Sequence, residues 1–160
     1  MTSLVFWQRW LLTASILLIL IGLALACFPS SPIFGILLRD VNNSFWGTVD
    51  TPANVRGFQS WVLGAWGATI AGWGVFALFQ GRYAFLERRP WAWRGYAAGI
   101  GLWYLVDTAV SLQHGVMANA FFNTLILFVF AMPLAGTWAA FFRSPPPPGD
   151  SGRGEGGQPA

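Results

Sequence analysis

Four long apolar runs punctuate the chain: Trp10 to Phe28, Phe58 to Gln80, Tyr96 to Gln113 and Ala118 to Phe142. At about 1.5 Å per helical residue, each is long enough to match a hydrocarbon core of roughly 30 Å. None alternates strictly between apolar and polar positions as a membrane β-strand must, so the pattern predicts an all-α, four-helix transmembrane bundle. Residues 29–57 form the one substantial connection and open on a Pro-Ser-Ser-Pro breaker. Inside it, IFGILL is apolar but too short to cross, and is expected to lie flat at the interface or cap the bundle. From Ser144 the chain reads SPPPPGDSGRGEGGQPA, with nothing to anchor a core, and is expected to be a disordered cytoplasmic tail. The domain plan is therefore a four-span unit over residues 1–143 followed by the tail over 144–160.

Composition agrees with the pattern. Only 9% of residues are charged, against about 25% in soluble globular domains. The arginines orient the spans, because short cytoplasmic loops collect positive charge. Arg9, Arg82, Arg88, Arg89, Arg94, Arg143 and Arg153 fall on one side, and Arg39 and Arg56 on the other. Both termini are thus expected in the cytoplasm, with residues 29–57 outside, in a bacterial inner membrane. Trp7, Trp10, Trp91, Trp93 and Trp138 fall near the inner boundary and Trp61 near the outer one, as interfacial anchors do. The first span also imitates a signal peptide, with Arg9 before the apolar run and ALAC at 24–27, but the run exceeds the usual h-region. NNS at 42–44 matches a glycosylation sequon, which counts only in a eukaryotic secretory pathway.

The same counts exclude several classes of chemistry. The arginines are dispersed and accompany no nucleic-acid motif, so no nucleic-acid partner is expected. One cysteine, Cys27, and one histidine, His114, leave no internal disulfide, CxxC pair or bis-His site within one chain. No metal and no cofactor are expected. The expected partners are membrane lipids and either a second copy of the chain or other membrane proteins.

The second run offers a small-residue face. Gly64, Ala68 and Gly72 recur at i, i+4 and i+8, with Gly67 and Ala71 on the neighbouring arc and Trp66 and Trp73 opposite. Small residues let helix backbones approach closely where lipid supplies no hydrophobic drive. Ala97 and Gly101 offer the same on the third run. Packing inside the bundle is expected in preference to homodimerisation.

The arrangement ERRPWAW, then WYLVDT, then Asn119 and Asn123 resembles a family of uncharacterised bacterial four-helix integral membrane proteins, mainly over residues 60–140. That resemblance implies a four-span fold in a bacterial inner membrane, and implies no activity or binding residue.

Chemistry concentrates in the third run. On a helix, Tyr104, Asp107, Thr108, Ser111 and His114 share an arc of about 120°. A very short connection makes the third and fourth runs an antiparallel hairpin. A turn centred near position 115.5 places Asn123 at the depth of Asp107 and Thr108, and Asn119 near Ser111. A charged Asp at that depth costs a few kcal/mol, so Asp107 is expected to be protonated, paired or reached by water, with Asn123 or a backbone carbonyl as its partner. Interhelical hydrogen bonding is the plain account of this patch, and a proton, cation or small-ligand site is the functional one. Ser111, His114 and Asp107 have the composition of a catalytic triad but hang from one helix with no oxyanion-stabilising motif, so an enzyme is not expected.

Overall fold

The computed structural model describes residues 2–143; Met1 and the expected tail from Ser144 lie outside the described residues. The described residues form α1 (Thr2–Cys27), a 3₁₀ turn (Pro32–Phe34), α2 (Gly35–Trp46), α3 (Ala53–Phe79), a π-helical turn (Gln80–Ala84), α4 (Pro90–Gln113) and α5 (Met117–Phe142). Among them there is no strand. Three helical stretches are long and apolar enough to cross a membrane: Leu4–Cys27, Ala53–Ala84 and Met117–Phe142. At 24 residues α4 has the length, but Arg94, Asp107, Thr108, Ser111 and Gln113 dilute its apolar character.

The tightest seam joins α1 to α3. A Cβ added to Gly22 would lie 2.5 Å from the Ala71 amide nitrogen, and one added to Gly67 would lie 2.5 Å from the Gly22 carbonyl oxygen. The two backbones therefore touch, which only glycine permits. Gly74 extends the same arc against Ile19 and Ser15. This corrects the expected packing face. Gly67 and Ala71 are buried in the seam as foreseen in type, but Ala68 and Gly72 are exposed, and a Cβ on Gly72 would meet nothing within 4 Å. Gly64 makes only ordinary contact, at 3.6 Å from the Ala26 carbonyl. The arc is rotated because α1 contributes its own small pair, Gly22 and Ala26, at i, i+4. On α4, Ala97 packs on the core, whereas Gly101 has open space where a Cβ would stand.

The remaining joints are aromatic and polar. Trp73 of α3 stands 5.6 Å from the Trp103 ring of α4 and 6.2 Å from Phe130 of α5, so aromatic side chains fill the space between α3 and the α4–α5 pair. The Tyr96 hydroxyl donates to the Ala77 carbonyl across the same seam. Pro133 interrupts α5 and supplies no amide for the Val129 carbonyl four residues earlier. The Trp10 indole N–H of α1 takes that place at 2.8 Å. A sequence-pattern irregularity in one helix is thus answered by a side chain of another.

Residues 29–57 are largely helical, in contrast to the expected loop. IFGILL leads into α2, which ends at Gly47 with a left-handed φ of +65°. α2 packs on the start of α5, as a cap. At the same end α4 closes on Gly115, whose φ is +75°. The Val116 amide returns to the Ser111 carbonyl at 2.8 Å and the Gly115 amide to Leu112 at 3.2 Å, a Schellman termination. That closure makes the α4–α5 hairpin tight and sets its register.

Candidate functional site

The hairpin register brings the polar side chains of α4 and α5 together as a ladder. The rung nearest the turn joins Asp107, Ser111 and Asn119. The Asn119 amide nitrogen donates to Asp107 Oδ1 at 2.9 Å and to Ser111 Oγ at 2.8 Å. Ser111 Oγ donates to the Asp107 backbone carbonyl at 2.7 Å, the usual way a serine hydroxyl turns back on its own helix. One turn deeper, Asn123 donates to Thr108 Oγ1 at 3.3 Å. Deeper again, the Tyr104 hydroxyl and Thr124 Oγ1 are 3.4 Å apart. Ser111, Asn119 and Asn123 are buried, and Asp107, Thr108 and Tyr104 half-buried.

Two expectations are corrected here. Asn123 is not the partner of Asp107. Asn119 is, because the Asp107 side chain leans toward the turn, and Asn123 is left opposite Thr108. The carboxylate also acts as an acceptor in this contact, since the amide nitrogen donates to it. His114 departs from the constellation. It is the exposed C-cap of α4, and its ring lies 5.5 Å from Phe45 of α2, with no hydrogen bond to the ladder among the described residues.

Sequence reasoning missed three contributors. Thr124 sits one residue past Asn123 but about 100° around the helix from it, so the face shared by Asn119 and Asn123 gave no signal for it. Asp40 and Ser44 belong to α2. Asp40 Oδ2 accepts from the Ala118 backbone amide at 2.7 Å, and Ser44 donates to the Gly115 carbonyl at 3.1 Å. The Asp40 contact matters most, because the N-cap position of α5 is Val116, whose side chain caps nothing. An acid from another helix satisfies one orphan amide there and meets the positive end of the helix dipole.

A second polar region lies beyond the hairpin, between α2 and the start of α3. It is a cavity of about 210 Å³ whose wall includes Asn42, Asp50, Thr51, Arg56 and Gln59. Gln59 donates to Asn42 Oδ1 at 2.6 Å, Asn42 donates to the Val49 carbonyl at 3.1 Å, and the Arg56 guanidinium donates to the Thr51 carbonyl. Arg56 therefore stays at this rim and does not reach Asp107. Among the described residues no three His, Cys, Asp or Glu side chains gather where they could hold a metal ion. No family model, curated protein or solved structure matches the chain.

Proposed function

We propose that the protein is a non-enzymatic scaffold or accessory component of a bacterial inner membrane, crossing it four times with α1, α3, α4 and α5 and keeping both termini in the cytoplasm. One observation carries the scaffold reading. The polar groups of α4 and α5 are turned on one another, with Asn119 donating to both Asp107 and Ser111. Side chains so engaged hold two helices in register, and in membranes each such bond contributes about 0.6 kcal/mol on average. Support for the membrane setting comes from the lateral surface. Phe76 is 77% exposed, Leu102 and Leu105 67% and Phe128 60%, a spread of apolar groups that water would not tolerate on so small a chain. α4 joins the crossing set because its polar residues lie against α5, so a helix too polar to stand alone in lipid can still cross beside its partner.

A second reading is favoured by one atom. Asp107 Oδ1 takes the ladder contacts, while Oδ2 receives no hydrogen bond among the described residues. A carrier or sensor binding a proton, a cation or a small polar ligand would use that oxygen, with Ser111 and Asn119 holding the carboxylate.

Asp107→Asn separates the two. The scaffold reading expects wild-type membrane levels and wild-type phenotype, because an amide oxygen still accepts from Asn119. Selective loss of a pH response or of ligand binding at unchanged levels would favour the carrier. Orientation has its own check: a reporter fused after Arg143 that is active only in the periplasm, if it proves active, sinks the inside assignment.

A further inference from the structure

At the end of the bundle opposite the hairpin, α3 passes through the π-helical turn and a short connection into α4. Phe76, Phe79 and Tyr83 recur at i, i+3 and i+7 on one face, and with Trp91 of α4 they wall a groove of about 460 Å³. That volume is within the range of pockets that hold ligands, roughly 300–1,000 Å³. Its walls are uncovered aromatic rings: Phe79 and Tyr83 stand 5.8 Å apart, and all four rings are more than half exposed. Its mouth is charged. Arg89 lies there with Glu87, the two paired at 3.0 Å on the exposed rim. The segment from Arg82 to Arg89 carries three arginines against that one glutamate. This basic segment overlaps and follows the π-helical turn at Gln80–Ala84, and the Gln80 side chain ties that turn to α4 by donating to the Ala92 carbonyl at 2.5 Å.

An occupant must therefore match aromatic hydrocarbon along the groove and, at its mouth, an Arg89–Glu87 pair set in a segment of net positive charge. We propose that this groove binds one anionic phospholipid of the cytoplasmic leaflet, an acyl chain against Phe76, Phe79 and Trp91 and the phosphate at Arg89. The proposal rests on the membrane reading above. Basic pockets between spanning helices on the cytoplasmic side suit such headgroups, because a phosphate gains charge-assisted hydrogen bonds that a zwitterionic headgroup partly cancels. Arginine suits the role better than lysine, since its planar fork can hold phosphate through two parallel bonds while keeping Glu87 beside it.

The test uses the full chain, reconstituted in nanodiscs of equimolar phosphatidylglycerol and phosphatidylcholine and released for native mass spectrometry. Retention of one phosphatidylglycerol in preference to phosphatidylcholine is expected. An exposed arginine near an anionic lipid surface corresponds to a factor of about five in partition, so Arg89→Gln should reduce the preference about fivefold. Arg143→Gln removes the same charge outside the groove and should leave the preference intact. Equal retention of the two lipids by the wild-type chain overturns the proposal, with no variant needed. A preference that survives Arg89→Gln, or falls equally with Arg143→Gln, overturns it also. Failure to enter bilayers of either composition would instead refute the membrane reading on which it rests.

Discussion

Replacing Trp10 by Phe deletes one donor, the indole N–H that meets the Val129 carbonyl at 2.8 Å. That carbonyl lacks its helical donor because the residue four places on is Pro133. An acceptor left empty away from water costs about 1–3 kcal/mol. Pro133→Ala supplies the missing test. It restores a backbone N–H within reach of Val129 and also removes a fully buried ring, so its own effect mixes a hydrogen bond gained with packing lost. The double-mutant cycle cancels the packing loss. On the Pro133→Ala background Trp10→Phe should cost about 1 kcal/mol less than on the wild type, the difference being the coupling between indole donor and proline. Unfolding followed by far-UV circular dichroism in one fixed detergent mixture measures all four proteins. Equal losses on the two backgrounds, with coupling below about 0.3 kcal/mol, would refute the idea that the indole stands in for the absent amide.

Other expectations concern the seams. Gly67→Ala should destabilise by about 1–3 kcal/mol, because the new methyl meets backbone that cannot yield, whereas Gly72→Ala should be neutral or slightly stabilising; thermal unfolding in detergent compares them, and equal effects would contradict the rotated packing arc. Asn119→Ala, which strands Asp107 and Ser111 together, should cost about 1–2 kcal/mol and exceed the cost of Asn123→Ala, whose bond to Thr108 is longer; the same unfolding assay ranks them. Asp40→Asn should loosen the start of α5 by about 0.5–1 kcal/mol as the helix loses a charged cap. Hydrogen exchange at Ala118 reads that change directly, and protection equal to wild type would count against α2 as a cap.

Much of this architecture is written in local pattern. Runs of 18 or more apolar residues specify helices in any solvent that cannot hydrogen-bond the backbone, and the brief break at Gly115 forces α4 and α5 side by side. The depth match of Asn119 with Ser111 and of Asn123 with Thr108 follows from that turn alone, since an antiparallel hairpin pairs residues symmetrically about its centre. What local pattern leaves open is rotation and partner choice. Gly64, Ala68 and Gly72 look as suited to packing as Gly67, Ala71 and Gly74 until Gly22 and Ala26 of α1 select one arc, because close approach depends on small residues meeting from both sides. Asp107 likewise takes Asn119 in place of Asn123 for reasons of side-chain direction, which spacing does not encode. The largest departures involve residues far apart in sequence: Asp40 capping α5, and Trp10 serving the carbonyl freed by Pro133. Each is a polar backbone group unsatisfied by its own helix, and only the assembled bundle decides which distant side chain reaches it.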